Sequence, residues 1–330
     1  MWILPLILLL LPIFVQAIIG GKEVSHPHKY PWIVALHRTE SFGTESHFCG
    51  GSIISKDVVL TAAHCVTETS TIFIQAGHSN ISSESSAFLH VKSILIHPEY
   101  DSLWIFQLFW SLLYGPRLYD IALLRLNESL VFNDSIQPIA LPSEGLSKFT
   151  YYVAGWGLTG IITEDMPDNE CNYKKHFKEP QNLRELEIEI AQDDSCFVLS
   201  DYIDYIDSYV ICGQSFKPLE EGTCNGDSGS PLMKIEHVSG RTEVIGITSG
   251  KVRYPYKQPY FNTCNGKSIY TRVSKYLPWI YQNLKEFDPR FVSHVGYKHY
   301  LTFENIGIGC FCLCAFGWRM STHIFEFLNS

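Results

Sequence analysis

The sequence predicts an all-β fold closed by one C-terminal helix, and three observations support this. Short apolar runs broken by glycine and serine have the length and composition of β-strands; they include 31–36, 52–54, 72–74 and 91–96. Residues 186–190 alternate apolar and acidic side chains with a period of two, which is typical of a half-exposed strand. Residues 274–284 carry apolar side chains at helical spacing, with Ser274 as the predicted N-cap.

Composition and charge limit the classes of partner. The chain has 330 residues, of which 46% are hydrophobic, so it can bury a large core. Its net charge is −9, and no basic run suggests a phosphate-binding face. A negative chain is repelled by polyanions. We therefore expect no nucleic-acid partner.

The first 17 residues have the pattern of a secretory signal. Residues 1–17 are apolar throughout and end in Val15-Gln16-Ala17, the small-residue pattern that signal peptidase cuts. The run is too short for a membrane span. We predict a signal peptide over 1–17 and a secreted, extracellular protein, in which disulfides can form.

Three stretches together suggest nucleophilic catalysis. The segment 222–231 encloses Ser228 between glycines, which permit a tight turn with backbone N–H groups close to the hydroxyl. Alone, this pattern also fits an ordinary Gly/Ser turn. However, His64 in T-A-A-H-C offers a base, and Asp120 offers a carboxylate at the head of an apolar strand. The three occur in the order His, Asp, Ser.

These stretches and several others resemble the chymotrypsin-like (trypsin-fold) serine proteases. The motifs are I-I-G-G, C-G-G-S, T-A-A-H-C, D-I-A-L-L, G-W-G, G-D-S-G and Y-T-R-V, beginning at residues 18, 49, 61, 120, 155, 226 and 270. The resemblance runs from Ile18 to about residue 287. It implies two packed antiparallel six-stranded β-barrels with a C-terminal helix. The predicted domains are a signal peptide at 1–17, a peptidase domain at 18–287 and an atypical tail at 288–330.

The resemblance also implies the catalytic roles. His64 is the general base and then acid, Asp120 orients it, and Ser228 attacks the peptide carbonyl. The backbone N–H groups of Gly226 and Ser228 form the oxyanion hole. The implied activity is that of a serine endopeptidase, a hydrolase that cuts protein or peptide substrates through an acyl-enzyme. Protein protease inhibitors are further expected partners.

No cofactor and no metal are expected. Some relatives bind calcium through paired carboxylates in the loop that corresponds to 77–87. In this loop Glu84 is the only acidic residue, and calcium requires several oxygen ligands. We therefore predict that the loop holds no ion.

The resemblance implies that the amine of Ile18 folds inward and pairs with Asp227, because a buried charge needs a partner. Relatives carry a basic residue or a short propeptide before this isoleucine, and neither is visible here. We predict that signal peptidase itself produces the active terminus by cutting after Ala17.

The specificity pocket maps by resemblance to four residues: Gly222, Ser249, Gly250 and Ser268. Relatives that cut after lysine or arginine have an aspartate where this chain has Gly222. Burying a cationic substrate side chain without a partner is costly, so we predict cleavage after Phe, Tyr, Leu or Met. A second interpretation is that Lys251 and Arg253 reach the cleft and favour acidic substrates.

Other family features are matched only in part. The implied disulfides are Cys49–Cys65, Cys196–Cys212 and Cys224–Cys264. Another pair of the family is replaced at both ends by Tyr151 and Lys234, and Cys171 remains to pair with a tail cysteine or with another chain. Three N-x-S sequons predict glycosylation in a secreted protein; they begin at Asn80, Asn127 and Asn133.

Two apolar segments depart from the family pattern. Residues 103–114 are apolar and aromatic, and an exposed patch of this kind indicates a contact site. They could grip hydrophobic substrate residues, contact a membrane or partner, or be absent from the mature protein through an error in the gene model. Residues 306–318 contain Cys310, Cys312 and Cys314, which suggests a membrane tether, a disulfide-forming appendage or a second such error.

Two other functional classes are alternatives to a serine protease. A catalytically weak or inactive homologue would act as a binding protein, but such homologues usually lose a triad member and this chain keeps all three. A lipase or esterase of the α/β-hydrolase class has the order Ser, Asp, His and the motif G-x-S-x-G. This chain has neither, so the lipase interpretation fails.

Overall fold

The structure is a computed structural model. It describes residues 18–39, 45–67, 71–102, 118–143, 149–160, 177–178, 180–191, 209–218, 221–251, 264 and 266–288. The chain divides into two units, Met1–Ile280 and Tyr281–Ser330. Both barrels lie in the first unit. Of the second unit, the structure describes 281–288, which contain the end of the last helix.

The first barrel is a closed antiparallel sheet of six strands in the order β2-β3-β4-β7-β6-β5. Its strands are β2 (Ile33–Thr39), β3 (Glu45–Ser55), β4 (Val58–Thr61), β5 (Ile72–Ala76), β6 (Ala87–Ile96) and β7 (Ala122–Leu126). Apolar side chains of these strands are fully buried, among them Leu36, Ile53, Leu60, Ile74 and Leu123. Closure leaves no free edge at which another chain could pair.

The second barrel closes in the order β8-β11-β12-β15-β14-β13, with β13 pairing back to β8. Its strands are β8 (Phe149–Gly155), β11 (Arg184–Ile190), β12 (Val210–Gln214), β13 (Pro231–Glu236), β14 (Thr242–Lys251) and β15 (Ser268–Arg272). Strand β1 (Lys22–Glu23) pairs with β11, and β9 (Thr159–Gly160) pairs with β10 (Phe177–Lys178). The predicted fold of two six-stranded barrels is confirmed.

The helices are short and lie between or after the strands. A 3-10 helix, Ala63–Cys65, follows β4, and α1 (Pro98–Ser102) follows β6. A second 3-10 helix, Val273–Tyr276, leads into α2 (Leu277–Phe287). The α-helix therefore starts later than predicted. Ser274 lies inside the 3-10 helix, whose N-cap position is Arg272, so Ser274 is not the N-cap. Pro278 has no N–H to donate to residue 274, which explains why the regular α-helical bonds begin later.

Several predictions concern residues outside the described ranges. These are the signal peptide at 1–17, the apolar segments 103–114 and 306–318, and the side chains of Cys171, Cys196 and Arg253. Within the described ranges, no helix is both long and apolar enough to cross a bilayer.

Candidate active site

His64 and Asp120 meet at the end of the first barrel. The 3-10 helix after β4 carries His64, and Asp120 lies just before β7, the strand that pairs with β4. The Nδ1 atom of His64 lies 2.7 Å from Asp120 Oδ2, and the backbone N–H of His64 donates to Oδ1 at 2.9 Å. This two-point contact fixes the ring orientation and leaves Nε2, which lies 3.9 Å from Cys65 Sγ, as the nitrogen that does not face Asp120.

Asp120 is fully buried and is held by groups of the second barrel as well. The hydroxyl of Ser249 donates to Oδ2, and Thr271 Oγ1 donates to the backbone carbonyl of Asp120 at 3.0 Å. Burial alone would raise the pKa of Asp120. The attraction of His64 and the hydrogen bonds from His64 and Ser249 more than offset burial and hold the pKa of Asp120 below its ordinary value. The carboxylate is therefore charged and lies against the imidazole ring of His64.

Ser228 lies on a turn that the two barrels hold from both sides. The N–H of Gly50 donates to the carbonyl of Ser228 at 2.7 Å, and the N–H of Gly229 donates to the carbonyl of Thr248 at 2.8 Å. Gly229 has φ +79°, and a Cβ there would collide with Thr61 Oγ1 and with the carbonyl of Gly50. Only glycine satisfies both the backbone conformation and the space.

Two backbone N–H groups are available beside the Ser228 hydroxyl. Gly226 has φ +97°, which turns the chain immediately before Asp227 and Ser228. Among the described residues, no acceptor takes a hydrogen bond from the N–H of Gly226 or of Ser228. Unpaired donors next to a nucleophile are what stabilisation of an oxyanion requires.

A cleft of about 370 Å³ brings these groups together. Its lining residues are Arg38, Phe48, Cys49, His64, Cys65, Thr67, Asn225, Gly226 and Ser228. No hydrogen bond between Ser228 and His64 occurs in the described structure, and catalytic contacts of this kind often tighten only with substrate bound. Sequence reasoning missed Arg38 and Phe48; for Phe48, its position directly before the C-G-G-S motif was an available signal.

Asp227 is a buried carboxylate with an incomplete set of partners. Its Oδ1 accepts from the N–H of Gly157 at 2.8 Å and its Oδ2 from the N–H of Cys224 at 2.7 Å. Burial raises the pKa of Asp227 to about 6 despite these bonds and despite attraction from Lys251. Ile18 is also fully buried, and the carbonyl of Ile19 accepts from the N–H of Gly222 at 3.0 Å.

Several of the predicted pocket residues are neighbours in the structure. Thr223 Oγ1 and Ser268 Oγ are 3.0 Å apart, and strand pairing places Lys251 opposite Ser268 and Gly250 opposite Ile269. A Cβ added at Gly222 would lie 2.7 Å from Lys251 Nζ. The ammonium of Lys251 therefore lies beside Gly222.

The described cysteines form two complete disulfides, Cys49–Cys65 and Cys224–Cys264. Cys212 is also disulfide-bonded, and its predicted partner Cys196 is not among the described residues. The first bridge ties the His64 segment to β3. In the described ranges, Cys49, His64 and Cys65 form the one cluster with metal-ligand spacing, but both sulfurs are in the disulfide and are not thiolate ligands.

The three predicted glycosylation sites differ in accessibility. Asn127 is exposed. Asn133 is exposed too, but its Oδ1 accepts from Ser135 and Ile136 within its own turn. Asn80 is half-buried, and its Nδ2, the atom that would carry a glycan, donates to Asn182 at 2.8 Å. The geometry favours Asn127.

Comparison with known proteins agrees with this geometry. The chain is 28% identical over 283 residues to the clotting factor G beta subunit of Tachypleus tridentatus, which covers 81% of this chain and 79% of that protein. It is 29% identical over 289 residues to chymotrypsin-C of Bos taurus, covering 83% and 92%. It is 30% identical over 274 residues to coagulation factor XI of Bos taurus, covering 80% and 37%.

The sequence model described as trypsin matches residues 18–280, most of the chain, and starts at the isoleucine predicted to open the mature protein. The chain therefore belongs to the trypsin family of serine proteases.

Proposed function

We propose that this serine protease is a secreted endopeptidase in which Ser228, His64 and Asp120 form the catalytic triad. The observation that carries the proposal is the contact between the buried Asp120 carboxylate and His64 in the cleft that Ser228 also lines. The substrates are proteins or peptides, and protein protease inhibitors would enter the same cleft.

The chemistry follows from the positions of the atoms. His64 Nε2 takes the proton of Ser228 as Oγ attacks the substrate carbonyl carbon, while Asp120 stabilises the imidazolium through Nδ1–H. The N–H groups of Gly226 and Ser228 stabilise the oxyanion. His64 then gives the proton to the leaving amine as the C–N bond breaks. Water hydrolyses the acyl-serine by the reverse proton path and restores the Ser228 hydroxyl.

The free terminus of Ile18 is the proposed trigger for this arrangement. Asp227 directly precedes Ser228, and burial disfavours the charge of its carboxylate. A nearby cation would stabilise that charge. An amine on Ile18 would supply that cation and fix the turn that carries Gly226 and Ser228. Cleavage after Ala17 by signal peptidase would create this amine during secretion, and Asn127 would carry a glycan.

Labelling with a fluorophosphonate probe, followed by intact mass, tests the proposal. We expect one probe on Ser228, no label on Ser228→Ala, and normal labelling of Ser230→Ala. Ser230 is a matched control two residues away, since its buried hydroxyl makes no hydrogen bond in the described structure. The same mass should start the mature chain at Ile18.

Two results would count against the proposal. A folded, unlabelled protein with a free Ile18 would contradict the triad and favour a binding protein. An active secreted protein that still carries Gln16-Ala17 would contradict the role of the terminus.

A further inference from the structure

The ammonium group of Lys251 occupies an unusual position in the molecule. Part of the residue reaches solvent, but the Nζ atom is buried, and no acceptor among the described residues hydrogen-bonds to it. A buried cation without a partner is costly. Burial accordingly lowers the pKa of Lys251 to about 7, although Asp227 attracts its charge and works in the opposite direction.

The backbone explains why this side chain points inward. Thr248 pairs with Tyr270 and Gly250 pairs with Ile269, so Ser249 is an extra residue, a β-bulge, in β14. Bulges re-aim side chains beside active sites. Beyond the bulge, Lys251 is opposite Ser268, and side chains of directly paired residues share a face of the sheet. Ser268 bonds Thr223, the neighbour of Gly222, and Lys251 reaches the same place.

Gly222 leaves the space that the ammonium uses. Any side chain at position 222 would meet Lys251 Nζ and the carbonyl of Cys264. The hydroxyls of Thr223 and Ser268 bond to each other at 3.0 Å beside this position. The position beside Gly222 thus holds a cation, and a cation pairs with a carboxylate through a charge-assisted hydrogen bond.

The carboxylate of Asp227 is not the partner of the Lys251 ammonium. The two groups attract each other, but no ion pair joins them in the described structure, and both oxygens of Asp227 accept from backbone N–H groups. In the proposed active form, the Ile18 amine would neutralise Asp227. The ammonium of Lys251 would then have no counter-charge among the described residues.

We infer that Lys251 makes the specificity pocket selective for substrates with aspartate or glutamate before the cleaved bond. This inference rests on the proposed function and replaces the hydrophobic preference predicted from Gly222 alone. Basic residues are disfavoured twice, since the pocket lacks a carboxylate at Gly222 and contains a cation. Glutamine and asparagine have the same shape as the favoured acids but lack the charge.

A series of peptides that differ only in the residue before the cleaved bond tests the inference. With the secreted protein, we expect kcat/KM for glutamate or aspartate to exceed that for the matching amide about tenfold or more, as is usual for hydrogen bonds to charged groups. In Lys251→Met the acid-to-amide ratio should fall to about one and leucine should become the better substrate. Lys92→Met, which removes an exposed lysine of β6, should keep the ratio of the parent.

The outcomes separate this inference from the proposed function. If Ser228 is labelled but the acid and its amide are cut equally, or phenylalanine and leucine are cut best, the inference is wrong and the protease assignment stands. If Ser228 is not labelled, the proposed function fails. Calorimetric titration of the Ser228→Ala protein with the uncut peptides then decides the pocket by itself: tighter binding of the acid supports the inference, and equal binding overturns it.

Discussion

At the scale of single residues, the site depends on how each buried charge is compensated. Asp120 has His64 and Ser249 as partners, and its pKa is lowered although burial opposes this. Asp227 accepts from two backbone N–H groups only, and Lys251 Nζ bonds to no described acceptor. Burial raises the pKa of Asp227 and lowers the pKa of Lys251, so it favours the neutral form of both. Perturbed groups of this kind cluster at functional sites. We therefore propose a catalytic role for Asp120, a role in activation for Asp227 and a role in substrate selection for Lys251.

Replacing Asp120 by asparagine should leave the fold intact and remove most activity. An amide can hold the ring only in the wrong tautomer, so kcat should fall on the order of 10⁴-fold, as the triad template indicates. Steady-state kinetics with circular dichroism measure both effects. Asp134→Asn, a change of the same kind at an exposed position, should have no effect. A loss of less than about tenfold in a folded Asp120→Asn protein would mean that Asp120 does not orient the base.

Removal of the Lys251 charge should stabilise the protein in a pH-dependent way. The pKa of Lys251 in the folded state, about 7, lies below the ordinary value of 10.5. Lys251 therefore lowers the free energy of unfolding progressively as the pH falls from 10.5 to 7. The facing charge is that of Asp227. The gain in Tm of Lys251→Met over the parent should therefore be small near pH 10, grow toward about pH 7 and then level off. A gain that is independent of pH, or equal to that of Lys92→Met, would contradict the buried ammonium.

At the scale of elements, the turn that carries Ser228 is held by backbone contacts between barrels. The carbonyl of Ser228 accepts from Gly50 on β3, and Thr61 Oγ1 donates to the carbonyl of Gly50 at 2.8 Å. Thr61 ends the strand that leads to His64. The turn that carries Ser228 and the segment that carries His64 are thus connected through Gly50 and Thr61.

A pair of glycine substitutions tests this contact. Gly229 and Gly240 both have positive φ, but a Cβ at Gly240 meets nothing within 4 Å, whereas one at Gly229 collides with backbone. Gly240→Ala should lose about 1 kcal/mol of unfolding free energy from backbone strain alone. Gly229→Ala should lose about 3 kcal/mol or more, because overpacking adds to the strain. Urea denaturation measures both; equal losses would show that the turn is not held as described.

At the scale of the whole molecule, the groups of the proposed site come from both barrels. The first barrel supplies His64 and Asp120, while the second supplies Ser228, Ser249 and Lys251. Each barrel is closed and internally packed, so each holds its side chains of the site on a rigid framework. The two barrels therefore have to be joined correctly for the site to exist, and the contacts of Asp120 and Ser228 across them do this.

Part of this arrangement was predictable from the sequence. Period-two alternation and short apolar runs indicated the strands, and the motif order indicated the residues that the structure brings together at His64 and Asp120. The direction of Lys251 was not predicted, because it depends on the bulge at Ser249, which moves the following side chains to the other face of the sheet. Helical spacing alone places the start of α2 at Ser274, but Pro278 has no N–H to donate, and the helix begins at Leu277.

The most direct test of the account is a rapid-quench measurement of product release with an ester substrate, followed by peptide mapping of the trapped protein. The account predicts a burst of about one equivalent of leaving group per protein and an acyl group on Ser228. It also predicts that Ser228→Ala gives no burst. Turnover without a burst and without an acyl-enzyme at any quench time, or an acyl group on another residue, would contradict the proposed triad.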